Sequence, residues 1–266
     1  MRPVLLGVLF HAALAAADQP RPGIVVNPAT DLVIPQVVDG DGWSTTFFLT
    51  SLERERTVHW LLAFYADGGF PMNLPIQGAG PASTLFAALP PNWSVTIQTL
   101  GTSAQLLQGW ARLTSYDRAP NQPGAMVVTD RQLAGLAVFR QRVPGRPDFE
   151  AVVPLSPVTE NRFVMPFDNR GNYSTGIAWL NPDQSSPVPV EVTIFAPNAQ
   201  LIREDRFLLG PGSKVVFSMP TRYPESIGRE GSILVRTPAR FLSGLGLRFN
   251  PTGAFTSFHT LSAPGP

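Results

Sequence analysis

The sequence predicts an all-β protein: two tandem immunoglobulin-like, Greek-key β-sandwich modules behind an export signal. Three observations carry that expectation. From Leu32 onward, short apolar runs alternate with Gly/Pro/Asn/Asp turn clusters. Apolar runs at helical spacing, long enough for a helix of roughly 10–12 residues, are scarce. The same series of short segments then occurs twice, in the same order.

The elements follow in chain order. Met1-Arg2-Pro3 is a short basic start, Val4–Leu14 is almost wholly apolar, and Ala15-Ala16-Ala17 offers small residues before Asp18. That order is a secretory signal, expected over residues 1–17. Its apolar core is shorter than the roughly 20 residues a bilayer-spanning helix needs. Residues 18–31 carry Pro20, Pro22 and Pro28 and read as an extended lead-in. Residues 32–155 form the first expected module, 156–160 a short linker and 161–263 the second.

Turn signals punctuate both modules. They include Asp39-Gly40-Asp41-Gly42, Asp67-Gly68-Gly69, Pro90-Pro91-Asn92, Gly210-Pro211-Gly212 and Asn250-Pro251-Thr252-Gly253. Val190-Glu191-Val192-Thr193-Ile194 alternates at period two, the sign of a half-buried strand. Thr57–Phe64 places Val58, Trp60, Leu62 and Phe64 on one face.

The repeat rests on four pairs of segments. Gly42-Trp43-Ser44-Thr45 matches Asn172-Tyr173-Ser174-Thr175. Leu89 to Val95 parallels Leu209 to Val215, and Gly109–Leu113 parallels Gly231–Val235. Leu133-Ala134-Gly135-Leu136-Ala137-Val138 parallels Leu242-Ser243-Gly244-Leu245-Gly246-Leu247. In this last pair, alternation puts glycine and alanine on one face and branched residues on the other. Tight core packing is the preferred reading of that pattern. A longer first copy, notably at Ala119–Ala125, accounts for the spacing differences.

Composition excludes several classes of function. There is no cysteine, so disulfide frameworks, thiol nucleophiles and thiolate metal sites are out. Lys+Arg 20 against Asp+Glu 19 leaves almost no net charge, which argues against a nucleic-acid surface. Lys214 is the only lysine; every other basic side chain apart from three histidines is arginine. No later segment is apolar over the roughly 18 residues of a membrane span, so no stable span is expected in the mature chain.

Few residues stand in a recognisable chemical motif. Neither Gly42-Trp43-Ser44 nor Gly212-Ser213 has the Gly-x-Ser-x-Gly frame of a hydrolase elbow. His-Glu-x-x-His and Walker loops are absent, and Gly78-Ala79-Gly80 stops at two glycines. Glu53-Arg54-Glu55-Arg56 reads as a solvated turn, not as a pair of glycosidase carboxylates. His59 and His259 read as surface histidines. Asp39 and Asp41 are the calcium candidates, two hard carboxylates on a Gly-rich turn. Thr50 stands where a calcium loop needs Glu, and the second copy has Arg170, so a plain hairpin turn is preferred. Trp43 and Tyr173, at equivalent strand starts, are the candidate ligand or partner contacts if exposed, and intersheet plugs if buried.

Gly42-Trp43-Ser44-Thr45-Thr46 and Gly246–Ser257 resemble recurring segments of uncharacterised tandem β-sandwich repeat modules in secreted proteins of environmental bacteria. The resemblance implies export, a β-sandwich and a surface role, and carries no active site. Phe139-Arg140-Gln141-Arg142 stands where the first copy lacks the Arg-Phe-Asn-Pro-Thr-Gly segment, so the copies are diverged.

The expectation is an exported, non-enzymatic protein at the cell surface, outside the cell or in the periplasm. It has no cofactor and acts as an adhesive or scaffold component, binding a surface protein or a polysaccharide through faces and loops. A carbohydrate-binding module pair is the first alternative, and an undetected hydrolase the second.

Overall fold

A computed structural model describes residues 31–118, 127–129, 133–157, 160–238 and 241–263. The expected signal, the lead-in up to Thr30, the Ala119–Ala125 loop, and Val158 and Thr159 of the expected linker lie outside them.

The described chain is an all-β sandwich fold. The first eleven strands are β1 (Leu32–Asp39), β2 (Trp43–Ser51), β3 (Val58–Ala66), β4 (Leu74–Ile76), β5 (Gly80–Ala82), β6 (Thr84–Leu89), β7 (Ser94–Gln98), β8 (Leu107–Tyr116), β9 (Leu133–Gln141), β10 (Phe149–Pro154) and β11 (Ser156–Pro157). They form two antiparallel sheets, β11-β1-β8-β3-β6 and β10-β9-β2-β7, with β4-β5 as a separate hairpin. The next nine are β12 (Arg162–Asp168), β13 (Ser174–Leu180), β14 (Val188–Phe195), β15 (Leu201–Leu209), β16 (Lys214–Ser218), β17 (Glu230–Arg236), β18 (Ser243–Phe249), β19 (Phe255–Phe258) and β20 (Leu261–Ser262). Their sheets run β15-β14-β17-β12-β20 and β16-β13-β18-β19. Taken in sequence order, this is the strand order of the first pair, with β4 and β5 as the insertion. A single turn of helix, α1 (Met219–Arg222), follows β16.

Ser156 and Pro157 pair with Val33 and Leu32. The first part of the expected linker is therefore an edge of the first pair of sheets.

The recurring Ser-Thr motif has a structural cause. After Asp39 the chain turns through Asp41 and Gly42, both at positive φ, as a two-residue hairpin turn demands. The two strands then part into different sheets, and their ladder ends. Thr45 Oγ1 replaces it, accepting from Val38 N–H at 3.1 Å and donating to Val38 O at 2.8 Å. Thr175 Oγ1 does the same for Asp168, accepting at 2.9 Å and donating at 3.2 Å. Both hydroxyls are buried. Thr45→Val and Thr175→Val keep the shape but orphan two buried backbone groups each. Each is expected to cost about 1–3 kcal/mol, read as a lowered urea midpoint with unchanged slope.

Two further glycine pairs are set by close approach. A Cβ on Gly109 would lie 1.9 Å from Tyr65 O, and one on Gly231 1.9 Å from Phe195 O. In the Gly-Leu-small-Leu strands the small face is the inner one. A Cβ on Gly135 would meet Phe48 O at 2.6 Å, and one on Gly244 the Phe163 ring at 2.8 Å. The leucines therefore turn outward.

Each pair of sheets encloses apolar side chains. Phe47, Leu62, Phe64 and Phe139 fill the first core, and Phe163, Met165, Trp179 and Ile233 the second. The first core does not stop at its own sheets. Ala178 of β13, Leu245 of β18 and Phe255 of β19 are buried in it, with Leu247 and Phe249 packed alongside.

Candidate binding site at the junction of the two sandwiches

Two turns legible in the sequence meet at this junction. Asp67-Gly68-Gly69 follows β3, and Gly210-Pro211-Gly212 precedes β16. Gly69 has φ +84°, and a Cβ there would lie 2.9 Å from Gly212 O. Lys214 N–H donates to Asp67 O at 2.7 Å. Trp110, fully buried, donates Nε1–H to Gly212 O at 2.9 Å and stacks on Tyr65 with centroids 4.3 Å apart. Arg112 Nη2 donates to Tyr65 Oη at 2.9 Å. Val33 and Leu180 complete this small core.

The lone lysine closes the junction. Lys214 belongs to β16, but its ammonium reaches into the first sandwich. It donates to Gln36 Oε1 and to Gly109 O (2.6 Å), and pairs with Asp67 Oδ1 at 3.0 Å. Its side chain has no exposed surface. Burial pushes it down to about 8, with the Asp67 carboxylate opposing the shift.

Beside the clamp lies an apolar cleft of about 160 Å³, bounded by both sandwiches. Val38, Trp43 and Phe139 line it from the first, and Gly176, Leu247 and Phe249 from the second. Its polar lining residues are Gln36 and Gln108. Leu106 and Val216, 43% and 40% exposed, also line it. Pockets form preferentially at such domain junctions.

Residues singled out in the sequence fall in varied places. Trp43 is half-buried at the junction and stacks on Phe255 at 5.1 Å, neither an exposed platform nor a plug within one sandwich. Tyr173 is half-buried under the Arg248 guanidinium, 3.8 Å from its ring centroid. Arg248 and Arg170 also bind Asp168; the Arg170 hydrogen bond leads in holding that carboxyl down to about 2, against burial.

Of the calcium candidates, Asp39 is fully buried. Its carboxylate accepts from Gly101 N–H (2.6 Å), Ser103 N–H (3.2 Å) and Ser103 Oγ–H (2.6 Å). Asp41 is exposed at the turn tip. Among the described residues no group of three or more His, Asp or Glu side chains is placed to hold a metal ion. His59 is half-buried against Phe86, His259 is exposed, and Glu53–Arg56 lies in a surface loop.

Three features are faint or silent in the sequence. The junction clamp had one signal, the uniqueness of Lys214. Trp93, not Trp43, is the exposed tryptophan of the repeated segments, at 49%. Arg222 lies 4.4 Å from the Phe207 centroid and 4.9 Å from that of Phe217. Asp205 joins Arg222 Nη2 (3.1 Å) to Tyr223 Oη–H (2.9 Å). Burial with the Asp205 bond pushes the Tyr223 phenol up, so it stays a donor.

No family model matches the chain, and no curated protein does. Among solved structures it is similar to the M60 catalytic domain with the CBM51-1 and CBM51-2 domains from Clostridium perfringens ZmpB, at 9% identity. That match covers 85% of this chain and 33% of the other, so the chain spans about a third of its length, with TM-score 0.16. A similarity at that score carries no argument about fold or function. Among the described residues no helix is long and apolar enough to cross a membrane.

Proposed function

We propose that the protein is an exported, non-catalytic surface or scaffold component that binds a protein of the cell envelope. The observation carrying this reading is the outer face of β7-β2-β9-β10. Phe48 stands opposite Leu136, and Leu136 opposite Pro154; Val138 stands opposite Val152. Phe48 and Val152 are 41% and 46% exposed. An apolar row on a sheet face, rimmed by Thr50, Thr96, Arg140 and Glu150, is the composition of a protein interface. The corresponding face of β16-β13-β18-β19 is the one that the first sandwich covers, which supports a protein occupant. Phe48 is the one aromatic ring among Leu136, Val138, Val152 and Pro154, and so mostly aliphatic a row favours protein over sugar, because sugar rings call for stacking aromatics.

A polysaccharide reading has its own observation. Trp93 and Leu52, each 49% exposed, are brought together by Ser51 N–H donating to Trp93 O and Asn92 N–H to Glu53 O. One experiment separates the two. The mature protein is incubated with envelope fractions of its producing organism, with and without prior protease digestion of the envelope. Retention lost on digestion, and weakened at least about tenfold by Val152→Asp with the fold intact, is expected. Retention that survives digestion and is lost in Trp93→Ala would establish the polysaccharide reading instead. No retention overturns both.

A further inference from the structure

The two glutamines of the junction cleft have fixed orientations. An ammonium only donates, so the atom of Gln36 facing Lys214 Nζ is its oxygen. A carboxylate only accepts, so Gln108 turns Nε2 toward Asp67 Oδ2, at 2.8 Å. The Lys214–Asp67 pair thereby sets both amides. The Gln36 amide N–H groups and Gln108 Oε1 are left without a hydrogen-bond partner among the described residues. Both side chains line the cleft, and Gln36 is only 8% exposed. Gln108 is half-buried and neither free amide group is sealed from solvent, so both remain open to pair with a molecule entering the cleft. The cleft thus offers a donor and an acceptor at an otherwise apolar wall.

Size and charge narrow what fits. About 160 Å³ of apolar space is close to the roughly 150 Å³ that accepts a single benzene ring elsewhere. The Lys214 charge is already matched by Asp67, so the cleft has no spare charge to attract an anion. We propose that the junction cleft is a binding site for a small neutral ligand of one planar ring carrying an acceptor and a donor side by side, an aromatic carboxamide in type. Its carbonyl oxygen accepts from Gln36, its N–H donates to Gln108 Oε1, and its ring lies among Trp43, Phe139 and Phe249. Because both sandwiches line the cleft, such a ligand contacts both. This inference is independent of the envelope-binding reading.

The test is a titration of the isotope-labelled mature protein followed by nuclear magnetic resonance. The probes are benzamide, toluene and acetamide. Benzamide is expected to shift the side-chain amide signals of Gln36 and Gln108 and the Trp43 indole signal. Two added hydrogen bonds should let it saturate at a concentration about tenfold or more below that of toluene. Gln108→Met should remove most of that preference while toluene still binds. Val216→Trp, at an exposed lining position, should block both ligands without unfolding the protein. Equal saturation by benzamide and toluene overturns the proposal. So do shifts by acetamide alone, the absence of shifts, and shifts that persist unchanged in Val216→Trp.

Discussion

Trp110→Ala is expected to cost about 3–5 kcal/mol and to separate the two sandwiches in unfolding. The indole is fully buried at the junction, stacked on Tyr65 and bonded to Gly212 O. Truncation leaves a cavity between surfaces that come from different halves of the chain. It also orphans the Gly212 carbonyl. The wild type is expected to unfold in urea as one transition, because Ala178, Leu245 and Phe255 are shared with the first core. In Trp110→Ala the curve should split into two, or should differ between fluorescence and circular dichroism. A loss below about 1 kcal/mol with a single unchanged transition would show that the junction contributes little.

Lys214 gives the second large effect, and it has a sign in pH. Its folded value is about 8, against an ordinary 10.5. Below pH 8 the folded and unfolded chains both hold this proton, and its contribution does not vary. Between about 8 and 10.5 the unfolded chain keeps the proton that the folded chain releases. Stability therefore rises with pH across that window, by up to about 3 kcal/mol. The clean readout is the difference between wild type and Lys214→Met, in which this rise is absent. Asp67→Asn should destabilise the protein more than Lys214→Met near neutral pH, because it strands a buried ammonium without its counter-charge. As Lys214 is the only lysine, acetylation offers an independent check. Apart from the chain's α-amine, label should enter slowly in the wild type and quickly in Trp110→Ala.

The cleft and the clamp were far less legible in the sequence than the strands. The turns at Asp39–Gly42 and Gly210–Gly212 were visible because turn chemistry is local. The recurrence of Ser44-Thr45 in Ser174-Thr175 was visible too, though its cause was not. Only the structure shows each threonine hydroxyl completing a ladder where two strands part. Trp43 illustrates the reverse. Its place at a strand start was readable, but its stacking on Phe255 depends on how the second pair of sheets meets the first. The alternating Gly-Leu strands showed two distinct faces, yet not which one turns inward. Packing decided that, because only glycine lets the Phe163 ring and the Phe48 carbonyl come so close.

The sequence by itself determined the β class, the positions of the turns and the duplicated order of short segments. Each of these is written in windows of a few residues, in period, turn chemistry and repetition. The tertiary structure alone decided that the single lysine serves as a bolt between the two sandwiches. It also decided that a cleft with two oriented amides opens beside that bolt. Lys214 and Gln36 lie 178 residues apart, and Trp110 and Gly212 lie 102 apart. No local pattern couples residues at such separations; they meet because apolar faces that one sandwich leaves open are buried by the other.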